Sequence, residues 1–237
     1  MTHAADPDSA YLLGHSSTET DRLLLQDRPY DPITEQPLLT AGLRPGMRAL
    51  DVGCGAGDVT FLAARIVGST GSVTGVDAAP RALEVARARA AGRKRDQAGD
   101  AEISFRPVTL PDVTIDLGGP VGAVIGRLIL GHLPDLVMAL RRLSRPVRPG
   151  GLVVFQDLAD VPLRGEPPTP LNGAVLEGIG AARTVNGSGP GEDARLYPLF
   201  RRAGPTAPAL SATTPMGGAE GDTVPPLVVT HAERQVL

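Results

Sequence analysis

The sequence is poor in aromatic residues and carries no excess of positive charge. Phenylalanine, tyrosine and tryptophan together make up 3% of the 237 residues, and tryptophan is absent. Proteins that bind single-stranded nucleic acid stack bases on aromatic side chains, so this chain has little material for such a surface. The formal net charge of −3 also gives no basic field to attract a phosphate backbone. These two absences argue against a nucleic-acid partner.

Cysteine and long apolar runs are scarce as well. Cys54 is the only cysteine, so no disulfide can form within the chain, which agrees with a reducing compartment. No stretch has the length and apolarity of a membrane span, and the N-terminus, MTHAADPD, lacks the basic start and apolar segment of a signal peptide. We therefore expect a cytoplasmic protein with no membrane association.

From residue 46 onward, short apolar runs alternate with helical patterns. Strands are predicted at 49–52, 72–76, 103–106, 121–125 and 152–155, with helices at 59–67, 81–91 and 135–144. Such alternation predicts parallel strands joined by right-handed crossovers. A turn is predicted at 148–151, where the sequence reads RPGG, just before the strand at 152–155. A helix at 193–202 and two weaker strand candidates, 207–212 and 227–236, complete the pattern. We expect a doubly wound, Rossmann-like α/β fold with a mostly parallel sheet of about seven strands.

The first 45 residues form a separate, helical prefix in this interpretation. Ser16 and Glu19 are spaced as a capping box for a helix that starts near residue 17, and a second short helix is predicted at 33–41. The predicted division is thus a prefix at 1–45 and a core at 46–237. Apolar faces on the prefix and in the short C-terminal region favour burial against another subunit, so we expect a homodimer or a larger homo-oligomer.

A glycine-rich segment, DVGCGAGD (residues 51–58), joins the first core strand to the next helix. Glycine tolerates positive φ and lets a ligand approach the backbone, and a helix start offers free N–H donors. Asp77 ends the second strand twenty residues after the third glycine, the separation at which an acid holds ribose hydroxyls in nucleotide-binding folds. The alternatives are a plain glycine turn and an Asp77 that only caps the next helix. Together the two features predict a site for a nucleoside-bearing cofactor.

The glycine spacing argues against a dinucleotide. A dinucleotide fingerprint is G-x-G-x-x-G, whereas here the third glycine comes one residue early and Asp58 follows it, where its carboxylate would face a pyrophosphate. The segment instead resembles motif I of the class I S-adenosylmethionine (SAM)-dependent methyltransferases, with Asp51 as the leading acid. The resemblance continues in VTGVDAAPRAL (73–83), VGAVIGRLILGHLPD (121–135) and VRPGGLVVFQD (147–157), and backward to YLLGHSSTETDRLLLQ (11–26).

The resemblance implies SAM, or its product S-adenosylhomocysteine (SAH), as the cofactor, without a metal ion. It implies that Asp77 takes both ribose hydroxyls, that Ala78 packs on the adenine, and that Tyr11 and Gln26 belong to a helical lid over the cofactor. The last two could also be ordinary surface residues. The expected cofactor-binding residues are Tyr11, Gln26, Asp51, Gly53, Gly55, Gly57, Asp77, Ala78, Thr109 and Gly126.

Two positions depart from the family pattern. After the third strand, relatives commonly carry Gly-Asp, whose carboxylate binds the adenine amine, whereas this chain has Val108 and Thr109. The Asp often found in the fourth strand is replaced by Gly122. These departures leave open a weaker cofactor affinity or an altered role for the cofactor.

Methyl transfer requires alignment of two partners and sometimes a base. His15 in the prefix and His132 after the fourth strand are the candidate bases, although a packed, non-catalytic histidine is an alternative for His132. Gly126 and Arg127 would border the substrate pocket, where Arg127 orients an anionic group of the acceptor or pairs with a nearby acid such as Asp157. The expected function is methylation of a small molecule, such as a secondary-metabolite intermediate. The alternative is a methyltransferase-like protein that catalyses a cyclisation or rearrangement without methyl transfer.

Overall fold

The computed structural model describes residues 33–93, 99–113, 115–133, 135–157, 170, 174, 177, 196–204, 208–213 and 228–234. The helix expected near residue 17 lies outside these residues, as do Tyr11, His15 and Gln26. Within the described ranges, no helix is long and apolar enough to cross a membrane.

Strands and helices alternate along the described part of the chain, as the sequence pattern predicts. In chain order they are α1 (33–41), β1 (Arg48–Val52), α2 (Asp58–Val67), β2 (Ser72–Asp77), α3 (Pro80–Gly92), β3 (Glu102–Pro107), β4 (Val121–Arg127), a 3-10 helix (Leu130–His132), α4 (Leu136–Ser144), β5 (Val147–Asp157), α5 (Leu196–Ala203), β6 (Ala209–Thr213) and β7 (Val228–Arg234).

The strands form one seven-stranded sheet in the order β3-β2-β1-β4-β5-β7-β6. Neighbours from β3 to β5 are parallel, and β7 runs antiparallel to both β5 and β6. This confirms the expected doubly wound, mostly parallel sheet. The strand order reverses between β1 and β4, and ligands bind in open α/β sheets at the carboxyl ends of the strands beside such a reversal.

Local sequence signals account for the helix starts. Pro80 occupies the first turn of α3. Backbone N–H groups in the first turn form no hydrogen bond within the helix, so the lack of an N–H in proline costs nothing there. Asp135 caps α4, and its carboxylate accepts a hydrogen bond from the N–H of Met138 at 3.3 Å. α2 follows Gly57, which has a left-handed backbone and provides no side-chain cap. The first N–H groups of α2 are therefore left for other partners.

Gly150 and Gly151 lie within a strand, although the sequence pattern predicts that they form a turn. The sequence pattern predicts a turn before a strand at Leu152, but β5 already begins at Val147. Val121 pairs with Val147 whereas Ala123 pairs with Leu152, so the residues in between form a bulge within the strand. Gly150 in this bulge has a φ of +70°, a conformation that glycine adopts without strain. A bulge and a turn demand the same residues, which is why the pattern did not separate them.

Apolar side chains cover both faces of the sheet. The first cluster packs α1 and α2 on one face, and the second packs α4 and α5 on the other. Ala49 and Leu50, neighbours in β1, belong to opposite clusters, as alternation along a strand requires. Leu38 of α1 is buried in the first cluster, so the end of the prefix packs as part of the core.

Candidate cofactor site

The glycine loop leaves β1 in a sharp bend that only glycine accommodates easily. Gly53, Gly55 and Gly57 have φ values of +71°, +52° and +92°, all in the left-handed region. The N–H groups of Gly53 and Cys54 both donate to the carbonyl of Val76, at 2.8 and 3.0 Å. These bonds attach the start of the loop to the end of β2.

The three glycines meet different surroundings. A Cβ atom on Gly53 would lie 2.7 Å from the side chain of Ile129, and one on Gly57 would lie 3.0 Å from the ring of Phe105. A Cβ on Gly55 would have no described atom within 4 Å. Gly53 and Gly57 are thus required by packing inside the protein, whereas Gly55 borders open space that a ligand can enter.

Asp77 lies at the end of β2 and is bonded to the loop itself. Its Oδ2 accepts a hydrogen bond from the N–H of Gly55 at 2.9 Å, and its Oδ1 accepts one from the N–H of Ala79 at 2.9 Å. Each carboxylate oxygen has a further lone pair, so both can still accept a ribose hydroxyl. Ala78, expected against the adenine, is exposed directly beside this carboxylate.

Asp51 is the buried carboxyl group of the site, with a side chain only 1% exposed. Its Oδ2 accepts a hydrogen bond from the hydroxyl of Thr60 at 2.6 Å. Its Oδ1 has no partner, and no other buried side-chain oxygen or nitrogen in the described residues is left without one. Burial raises the pKa of Asp51 from 3.8 to about 7, although the Thr60 hydrogen bond and the positive charge of Arg127 act in the opposite direction. An unpaired buried acceptor costs roughly 1–3 kcal/mol, so this oxygen is poised to accept a donor.

The carboxyl ends of β4 and β5 carry a second polar group of residues. The Thr34 hydroxyl, in the first turn of α1, donates to Oε1 of Gln156 at 2.6 Å. Arg127 donates to the same hydroxyl at 3.4 Å. Asp157, the acid considered as a partner for Arg127, accepts a hydrogen bond from the N–H of Leu130 at 2.9 Å. Sequence reasoning missed Thr34 and Gln156, because nothing in the prefix indicates which strand end α1 packs against.

His132 ends the 3-10 helix that follows β4. Its side chain is on the surface, yet the atoms around the imidazole lower its pKa below the ordinary value of 6.5 by desolvation, against the negative charge of Asp77. Its predicted role as a base stays a prediction.

The other expected residues have simpler surroundings. Gly126 is buried, and a Cβ there would lie 2.6 Å from the ring of Phe155, so this glycine makes room for a core side chain. Thr109 is exposed in the loop after β3. Gly122 lies near the amino end of β4, where a Cβ would lie 3.0 Å from Met47. A side chain at Gly122 would require the end of the Met47 side chain to shift, and this departure from the family pattern is remote from the strand ends that form the site.

The described residues fit SAM. Gly55 borders open space, Asp77 retains two acceptor positions, and Asp51 presents an unpaired buried oxygen suited to an ammonium group. Among the described residues, no group of three or more His, Cys, Asp or Glu side chains could hold a metal ion.

Comparison with known proteins agrees with this description. Residues 43–202 match the family described as a methyltransferase domain. A demethylmenaquinone methyltransferase from Staphylococcus aureus (strain MRSA252) is 40% identical over 116 residues, which are 48% of this chain and 44% of that protein. The match therefore spans less than half the length of this curated relative.

Solved structures show the same fold. An arsenic(III) S-adenosylmethionine methyltransferase from Chlamydomonas reinhardtii aligns with a TM-score of 0.58 and 25% identity, covering 81% of this chain and 64% of that chain. A magnesium protoporphyrin IX methyltransferase from Synechocystis, solved with bound SAH, aligns with a TM-score of 0.55 and 19% identity, covering 94% and 90%. Because the family match covers more than half of the chain, this protein belongs to the methyltransferase domain family.

Proposed function

We propose that this protein transfers the methyl group of SAM to a small organic molecule. The observation that carries the proposal is the arrangement at the carboxyl ends of β1 and β2. There, a loop of left-handed glycines open to solvent at Gly55 lies between the carboxylates of Asp51 and Asp77. Membership of the methyltransferase family supports the same function.

The two carboxylates have complementary tasks in holding SAM. Asp77 accepts hydrogen bonds from the ribose hydroxyls while its bond to the N–H of Gly55 keeps the loop close. Asp51, with one oxygen bonded to Thr60 and the other unpaired, accepts the ammonium group of the methionine part. SAM supplies a methyl group on a positively charged sulfur, which makes the methyl carbon electrophilic.

The acceptor belongs on the side of the site formed by β4 and β5. Arg127, hydrogen-bonded to Thr34, orients an anionic group of the acceptor by charge. His132, whose lowered pKa keeps it neutral near pH 7, takes up the proton that the acceptor atom releases. The remaining contribution of the protein is to align the two partners and exclude water.

The class of acceptor is supported by a relative and by charge. The Staphylococcus aureus relative is named for demethylmenaquinone, a small molecule. The net charge of −3 argues against a nucleic-acid acceptor. Within the small molecules, we infer a secondary-metabolite intermediate.

Labelled SAM tests the proposal. The protein is incubated with SAM carrying a tritiated methyl group and with a panel of acceptors that begins with demethylmenaquinone, and extracted products are counted. Label in a product, lost in Asp77→Ala, is the expected result. A product that forms at the same rate without label would contradict methyl transfer and support a cyclisation or rearrangement in the same pocket.

A further inference from the structure

Arg89, in the last turn of α3, contacts the end of the glycine loop. Its Nη1 donates to the carbonyl of Ala56 at 2.7 Å, and its Nη2 pairs with the Asp58 carboxylate at 2.5 Å. Its guanidinium also lies over the ring of Phe61, 5.2 Å from the centroid. We propose that Arg89 is a positioning residue that holds the glycine loop in its cofactor-binding shape; this rests on the proposed function.

The loop needs such an attachment because glycine is the most flexible residue. Its start is attached to β2 by the two hydrogen bonds to the Val76 carbonyl. Its end has no side-chain cap at Gly57, and Ala56 lies between two glycines with left-handed backbones. The bond from Arg89 to the Ala56 carbonyl restrains this second half directly.

The other two contacts of Arg89 act on the same half of the loop. Asp58 is the first residue of α2, and its side chain is only 11% exposed, so the ion pair lies at the edge of the core rather than in open solvent. The Phe61 ring is one of the groups that a Cβ on Gly57 would meet, at 3.1 Å. Ala56, Gly57 and Asp58 are thus each restrained by Arg89 or by the ring beneath it.

An arginine is required for this combination. The planar guanidinium donates in two directions at once and stacks on an aromatic face, whereas a lysine ammonium is a single point charge. Asp58, which argues against a dinucleotide in the sequence, has a structural partner in Arg89.

The chain offers a matched control in Arg93. Its guanidinium lies 4.7 Å from the centroid of the same Phe61 ring, and it forms an ion pair of 2.5 Å with Asp100. Its exposure is similar, 26% against 31% for Arg89. The ion pair of Arg93 is with Asp100, whereas that of Arg89 is with Asp58. Arg93→Met therefore removes a comparable stacked, paired arginine and keeps the hydrogen bond from Arg89 to the Ala56 carbonyl.

The test compares SAH affinity by calorimetry in wild type, Arg89→Met, Arg89→Lys and Arg93→Met, with the melting temperature of each. We expect Arg89→Met to weaken SAH binding about tenfold and Arg93→Met to weaken it by less than about twofold, at similar losses of melting temperature. Arg89→Lys should recover part of the affinity, because it keeps the charge beside Asp58. Adding Asp58→Asn to Arg89→Met should not restore binding, because the Ala56 carbonyl still lacks its donor.

The outcomes separate the two proposals. If wild type and Arg93→Met bind SAH and Arg89→Met binds equally well, the positioning role is wrong while the proposed function stands. Equal losses of affinity in both methionine variants would also overturn it, since the effect would then follow general stability. If adding Asp58→Asn to Arg89→Met restored the full SAH affinity, Arg89 would act only by neutralising the charge of Asp58. That result would contradict its role in positioning the loop. A wild-type protein that fails to bind SAH would overturn the proposed function as well.

Discussion

Replacing Asp51 by asparagine tests whether the buried carboxyl group opposes folding when it is charged. The pKa of Asp51 is raised from 3.8 to about 7 by burial, so between these values the folded protein holds a proton that the unfolded chain releases. The stability contributed by this group is therefore greatest at low pH, falls as pH rises from about 4 to about 7, and is constant above that. Asparagine has the same shape, can accept the Thr60 hydrogen bond, and does not titrate.

The size of the effect follows from the shift. Each pH unit in this window corresponds to about 1.4 kcal/mol, so the stability of Asp51→Asn relative to wild type should rise by about 3 kcal/mol between pH 5 and pH 8. For a domain of this length, that corresponds to a melting temperature difference that grows by roughly 5–10 °C.

The assay is thermal unfolding of both proteins, without added SAM, at several pH values from 5 to 8. Glu84→Gln serves as a control, since it removes one negative charge from an exposed position on α3. The same Asp51→Asn protein should bind SAH about tenfold more weakly, because the charged oxygen for the ammonium is gone. A melting temperature difference that stays constant with pH, or that matches the Glu84→Gln difference, would refute the reasoning.

Three further predictions concern neighbouring residues. Gly53→Ala brings a Cβ to 2.7 Å from Ile129 and should lower the melting temperature. A Cβ in Gly55→Ala has no described atom within 4 Å, so this variant should lower SAH affinity and reduce the melting temperature less than Gly53→Ala does. A larger loss of melting temperature in Gly55→Ala would contradict the geometry of the loop. Burial raises the pKa of the Cys54 thiol, so iodoacetamide should label it slowly at pH 8 until the protein unfolds, and rapid labelling of the folded protein would contradict this. The imidazole of His132 should titrate below its ordinary value of 6.5 in an NMR experiment, and a higher midpoint would count against its role as a neutral base.

The sequence predicted the framework of the fold well, because the periodic pattern of each element is local. The helix at 33–41 and the parallel core strands follow their apolar periods within a few residues. The turn predicted at 148–151 was wrong, because these residues form a bulge within β5. The positive φ of Gly150 is compatible with either structure. The antiparallel direction of β7 was not predicted. The direction of a strand depends on the path of the segment that connects it to the sheet, and the residues of the strand itself carry no pattern that indicates this path.

The candidate site was predicted by residue type but not by contact. Asp51 and Asp77 were both expected to hold the cofactor, and no pattern indicated that one is buried with an unpaired oxygen while the other is bonded to Gly55. The link between Arg89 and Asp58 joins residues far apart in the chain, and charge patterning within a single helix does not reveal such a pair.

Calorimetric titration of SAH into the wild-type protein and into Asp77→Ala tests the central claim most directly. The claim is that the glycine loop and the acid at the end of β2 form the binding site for the methyl donor. Saturable binding by the wild type, with no measurable binding by the variant, is the predicted result. Equal affinity in the two proteins, or no binding to either, would contradict it.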